Sequence, residues 1–124
     1  LNGEKVHITK KNNLISSSIV VSRSELKRKE WEPFRKQLKS IMPIGSVAYK
    51  LALVSSGKYD IFATIAPKNE WDICAGDCLV NEAGGIFKTI NNKKIIYNQK
   101  KTLVTDTIIA TNSILFEEIS DLLF

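Results

Sequence analysis

Residues 71–85, WDICAGDCLVNEAGG, constrain the fold of this chain more than any other stretch. Ile73, Cys74, Ala75, Cys78, Leu79, Val80 and Ala83 recur too densely for a surface helix, so the pattern predicts a helix over 72–83 that is buried on most sides. Gly84 is free to adopt the left-handed backbone that ends a helix, and Gly85 lets the chain turn tightly into the strand-like 86–90. The helix opens on Asp72, directly after the bulky Trp71. A carboxylate there has two uses: it caps the first amides of the helix, or it offers a hard oxygen ligand to a metal ion. The pattern alone leaves both open.

The rest of the chain reads as alternating strands and helices. Residues 6–9 and 14–21 are strand-like around the polar turn 10–13, which predicts a hairpin. Trp31, Phe34, Leu38 and Ile41 recur at helical spacing, so a helix is expected over 30–40, with Pro33 in its first turn and Pro43 beyond its end. Ser46 is placed to cap a helix over 47–55, Gly57 to end it, and 59–65 alternates as a strand. Residues 85–90 and 94–97 flank Asn91-Asn92, a plausible turn because asparagine tolerates positive φ. A short apolar strand over 107–110 precedes a last helix, capped by Asn112 or Ser113, with Ile114, Leu115, Ile119, Leu122 and Leu123 on its apolar face. This order predicts a three-layer α/β domain with a central mixed sheet flanked by helices.

At 124 residues and 44% hydrophobic content, the sequence supports one modest core and a single domain over 1–124. No apolar run reaches the roughly 18 residues of a membrane span, so no membrane partner is expected. The formal charge of +5 favours anionic ligands. The lysine pairs 10–11, 93–94 and 100–101 are scattered without interleaved aromatics, which argues for solvated loops over nucleic-acid binding. Cys74 and Cys78 lie four apart on one helical face. With His7 the lone histidine, they are expected to be buried free thiols rather than zinc ligands, in a reducing cytoplasm. His7 itself reads as a solvent-edge strand residue.

The stretch around Trp71-Asp72 resembles the second signature of the inositol monophosphatase superfamily, the magnesium-dependent, lithium-sensitive phosphomonoesterases. Residues 45–57, GSVAYKLALVSSG, resemble the Gly-Ser-led helix of that family. Ser22-Arg23-Ser24, Lys50 and Ala66-Pro67-Lys68-Asn69-Glu70 are similar to the branch that hydrolyses 3'(2'),5'-bisphosphate nucleotides. Two positions depart from that branch. Thr64 stands where nucleotidases often carry arginine and inositol enzymes glutamate, and Glu25 follows Ser-Arg-Ser where some nucleotidases have histidine. The first signature of the family, Asp-Pro-(Ile/Leu)-Asp-Gly-Thr, is missing from the sequence.

The resemblance therefore implies the C-terminal half of a phosphatase, inactive alone, whose partners are its N-terminal half and a phosphorylated small molecule: a bisphosphate nucleotide, or an inositol or sugar phosphate. It implies Mg2+ as cofactor with Asp72 as a metal ligand, and Gly45, Ser46, Lys50 and Thr64 at the substrate. Each has a plainer use: a turn for Gly45, a cap for Ser46, a surface position for Lys50. A homodimer stays open, as do two non-enzymatic readings, a regulatory domain that kept the fold and an anion-binding module.

Overall fold

The computed structural model describes residues 2–124. Strand β1 (Ser18–Val21) runs straight into helix α1 (Arg23–Lys27), and a 3-10 turn (Glu32–Phe34) leads to β2 (Ser40–Pro43) and α2 (Val47–Ser55). Then follow β3 (Ile61–Thr64), the two-residue β4 (Lys68–Asn69), α3 (Glu70–Glu82), β5 (Ile86–Thr89), β6 (Leu103–Val104), β7 (Ile108–Thr111) and α4 (Ser113–Leu123). The main sheet has the order β2-β1-β3-β7-β5, with β2, β1 and β3 parallel and β7 antiparallel to both of its neighbours. It is a mixed sheet between two helical layers, as the sequence pattern implies.

Each face of the sheet has its own core. Val20, Phe62, Phe87, Ile108 and Ala110 point toward Leu51 and Val54 of α2 and Ile73 and Val80 of α3. The alternate residues Ile19, Val21, Ile61, Ala63 and Ile109 meet Trp31, Leu38 and the Leu115, Phe116 and Ile119 face of α4. Fully burying a side chain of this size is worth about 1.5–3 kcal/mol, so these two clusters dominate the stability. Asp60 fixes the register at the start of β3: its carboxylate accepts the Ser18 N–H at 2.8 Å, and its carbonyl takes the Thr111 hydroxyl at 2.7 Å.

Several expected elements come out differently. Residues 6–9 form no strand and no hairpin; Ile8 is anchored by its N–H to the Ala83 carbonyl, 3.1 Å away, and His7 is exposed in an irregular segment. β1 pairs instead with two strands far along the chain. The apolar spacing over 30–40 serves a turn: Trp31 and Leu38 are buried in the α4-side core, while Pro33 sits in a single 3-10 turn. Residues 94–97 form no strand, and β5 stays at the end of the sheet, paired by β7 alone. The turn at Asn92 does form, with φ of 63° and the Thr89 N–H on the Lys93 carbonyl at 2.9 Å.

Helix α3 begins two residues earlier than expected and is not buried on most sides. Ile73, Gly76 and Val80 face inward, while Trp71, Cys74, Ala75, Cys78 and Leu79 lie exposed. The density of apolar residues reflects two apolar faces, one on the sheet and α2, the other outward. The cysteines are free thiols, but exposed ones. At Gly76 the helix crosses α2 so closely that a Cβ would stand 2.1 Å from Leu51 Cδ1.

Candidate active site

Because β2, β1 and β3 are parallel and in register, Val21 beside Pro43 and Val20 beside Phe62, their carboxyl ends open on one edge of the sheet. Crevices at such ends are where α/β sheets bind ligands. Here they feed, in turn, α1 with Ser22-Arg23-Ser24, the Gly45-Ser46 turn into α2, and the 65–69 arm into α3. A cleft of about 410 Å³ lies between the first two, lined by Ser22, Arg23, Ser24, Gly45, Ser46 and Lys50 among others.

The cleft is cationic and built around a glycine. The Arg23 guanidinium lies over Gly45, where an added Cβ would stand 2.6 Å from one of its nitrogens, so any side chain at 45 would displace the arginine. Ser46 has a left-handed φ of 67°, unusual for a non-glycine residue and the kind of strain that clusters at ligand sites. Its hydroxyl caps α2 by accepting the Tyr49 N–H at 3.3 Å. The Val47 and Ala48 amides, in the first turn, have no intrahelical acceptor, which leaves donors and the positive end of the dipole at the cleft.

Lys50 is no surface lysine. It is 3% exposed, and its Nζ donates to the Ile44 carbonyl at 2.8 Å. Burial, then the charges of Lys68 and Arg23, pull its pKa below the ordinary value, while Glu25 acts in the opposite direction.

Asp72 stands in the first turn of α3, half-buried. The N-cap of α3 is Asn69 rather than Asp72, because the helix starts two residues earlier; Asp72 closes a capping box from the third position, its Oδ2 accepting the Asn69 N–H at 3.2 Å. Its Oδ1 accepts no hydrogen bond among the described residues. The arm bearing it is held from outside: β4 pairs with β6, Glu70 N–H donates to the Thr102 carbonyl at 2.8 Å, and the Glu70 carboxylate accepts the Asn98 and Gln99 amides. Tyr97 O–H reaches Asp77 at 2.6 Å; burial and that carboxylate raise the tyrosine well above its usual pKa.

No three His, Cys, Asp or Glu side chains gather to hold a metal ion among the described residues. Magnesium takes near-octahedral oxygen ligands, commonly one or two carboxylates completed by water and phosphate. The Oδ1 of Asp72, which accepts no hydrogen bond among the described residues, fits one share of such a site.

Thr64 does not line the cleft. It is 1% exposed, and its hydroxyl lies 3.3 Å from Glu25 Oε2, which removes it from the expected substrate contacts. Glu25, noted in the sequence only as a departure after Ser-Arg-Ser, has a structural role that the sequence did not reveal. It is fully buried and accepts the Ile65 N–H at 2.7 Å and the Ala66 N–H at 3.4 Å, so it clamps the corner after β3. Its place after Ser-Arg-Ser was the sole signal in the sequence.

Residues 1–122 match the inositol monophosphatase family. The chain belongs to that family. It is similar to the Golgi-resident adenosine 3',5'-bisphosphate 3'-phosphatase of Mus musculus, 33% identical over 104 residues that cover 77% of this chain and 29% of the relative. It is also similar to the inositol-1-monophosphatase of Bacillus subtilis, 28% identical over 92 residues, 73% of this chain and 34% of the relative. Among solved structures, an IMPase of Thermotoga maritima superposes with a TM-score of 0.79 at 27% identity, over 97% of this chain and 45% of that one. The inositol monophosphatase from Anabaena shares the fold, with a TM-score of 0.80 at 22% identity, over 98% of this chain and 48% of that one. The chain thus spans about a third of these curated relatives and just under half of these solved chains.

Proposed function

We propose that this chain is the C-terminal half of a magnesium-dependent phosphomonoesterase that acts on a bisphosphate nucleotide, with inositol or sugar phosphate as the competing substrate class. The observation that carries the reading is the cleft of Arg23, Gly45 and Lys50 under the N-terminus of α2, on the same sheet edge as the α3 arm with Asp72. The α2 amides and the Arg23 guanidinium bind and orient phosphate oxygens. Lys50, held by the Ile44 carbonyl, places its charge against a second phosphate. Asp72 offers Oδ1 to the metal while Oδ2 keeps the helix cap. Magnesium, when bound, neutralises phosphate charge and lowers the pKa of the attacking water.

The remaining ligands belong to an N-terminal half. Exposed apolar side chains on α2 and α3 are in keeping with this, since Trp71, Tyr49 and Leu79 stand 67%, 56% and 46% exposed. The exposed free thiols of α3 fit a reducing compartment such as the cytoplasm. No helix among the described residues is long and apolar enough to cross a membrane.

The test compares the 124-residue chain with the longer product encoded upstream of Leu1. Phosphate release is followed from adenosine 3',5'-bisphosphate, inositol 1-phosphate and fructose 1,6-bisphosphate with magnesium. The longer product should prefer the nucleotide, and the chain alone should be inert. Turnover by the pure chain would remove the two-half reading, and preference for inositol phosphate would reassign the substrate. A chain with no longer product would favour the non-catalytic regulatory reading.

A further inference from the structure

Glu25 lies where three parts of the site meet. It sits two residues after Arg23 of the cleft and is fully buried. Its carboxylate gathers the Ile65 and Ala66 amides and the Thr64 hydroxyl, three consecutive residues at the start of the arm to Asp72. No described lysine, arginine or histidine forms an ion pair with it. A buried carboxylate without a partner cation is costly unless hydrogen bonds and nearby positive charge support it. The charge of the cleft is close by, because Arg23 and Ser24, the two residues before Glu25, line it; Glu25 acts in turn on Lys50 and on the exposed Arg28, favouring the charged form of each.

We propose that Glu25 is a positioning residue for phosphate binding. It locks the Thr64–Ala66 corner so that the Asp72 arm stays in place beside the Arg23 cleft, and its negative charge tempers the cleft lined by Arg23 and Lys50. The inference rests on the phosphate-site reading above. A purely structural clamp would need only the hydrogen bonds; the second role needs the charge. Removing the charge while keeping an acceptor separates them.

The experiment is Glu25→Gln in the 124-residue chain, titrated with inorganic phosphate and followed by amide NMR shifts of Gly45, Ser46 and Lys50 from pH 6 to 10. The glutamine oxygen still accepts the Ile65 N–H. Loss of the negative charge should tighten phosphate binding at pH 7 by about three- to tenfold. It should also move the alkaline limit of binding to lower pH, because Lys50 loses the one neighbour that raises its pKa while burial, Lys68 and Arg23 still lower it. Unchanged affinity and an unchanged alkaline limit in a folded variant overturn the charge role, and uniformly weaker binding at every pH reduces Glu25 to a clamp. Absence of any phosphate response in the wild-type chain overturns the phosphate-site reading and this proposal with it. Should Glu25→Gln not fold, Thr64→Val removes only the hydroxyl on Oε2. Faster amide exchange at Ile65 and Ala66 together with weaker phosphate binding supports the positioning role, and faster exchange with unchanged binding overturns it.

Discussion

Replacing Gly76 by alanine sets helix propensity against packing, and the structure decides which wins. In an isolated helix the change is favourable by about 1 kcal/mol. Here the new methyl would meet Leu51 Cδ1 at 2.1 Å, Cβ at 2.8 Å and Cγ at 2.9 Å. Rotating Leu51 relieves the first contact, but its Cβ is fixed to the α2 backbone, so the two helices must separate. Leu51 is fully buried, and overpacking of this kind costs about 1–3 kcal/mol, more where backbone must move. Taking the cost as about 3 kcal/mol, the net destabilisation is about 2 kcal/mol. With an unfolding entropy of about 2.1 cal/mol/K per residue, a chain of 124 residues should lose about 8 °C in Tm. Thermal denaturation followed by circular dichroism measures it, and Leu51→Ala combined with Gly76→Ala should cost less than the sum of the single changes. A Tm raised by Gly76→Ala would show that helix propensity rules at this crossing and that the close approach of α2 and α3 is not a constraint.

Asp72→Asn should abolish most phosphatase activity of the longer product while changing stability by less than about 1 kcal/mol, because the asparagine oxygen can still accept the Asn69 N–H of the capping box but carries no charge; near-normal activity at limiting magnesium would leave Asp72 with its capping-box role alone. Lys50→Ala should depress kcat/KM on a bisphosphate nucleotide far more than on a monophosphate, by the equivalent of about 1.5–3 kcal/mol for a lost charge-assisted contact; equal losses would restrict Lys50 to holding the Ile44 carbonyl. Tyr97→Phe tests a pH effect. The folded-state pKa of Tyr97 is raised above its ordinary 10, so its contribution is fully present below pH 10 and falls as pH rises beyond it; the phenylalanine variant should be less stable at pH 7 and lose less between pH 10 and 11 in urea denaturation. Cys74 and Cys78 should both react rapidly with iodoacetamide in the isolated chain, and mass spectrometry of the longer product should show at least Cys78 protected.

What the sequence made legible was whatever local chemistry decides. Ser46 and Asn112 cap their helices as expected, Gly57 and Gly84 take positive φ at helix ends, and the 3.6-residue pattern locates α2, α3 and α4. Long-range pairing was not legible. β1 reads as half of a local hairpin because nothing in 14–21 encodes that its partners are Ser40–Pro43 and Ile61–Thr64. The two-residue strands β4 and β6 are too short for any period to show. In the site, Gly45, Ser46 and Lys50 were found together with Arg23 because they belong to contiguous motifs. Thr64 was misplaced for a physical reason: on a fully buried strand, alternation does not tell which neighbour a hydroxyl meets, and the neighbour was an acid 39 residues away.

The loop after β5 contains two segments under unlike constraint. Its tip, residues 91–94, is exposed and turns on itself. Its second part is stitched to α3 through Tyr97, Asn98, Gln99 and Thr102, and closes with β6 on β4. That part works as a splint for the arm of Asp72. Insertions at the tip should therefore pass unnoticed by the carboxylate, while a single residue added between Asn98 and Thr102 should shift Glu70 and tilt the first turn of α3. In this fold, the length of a surface loop that does not line the Arg23 cleft is a gauge block for the placement of one oxygen atom.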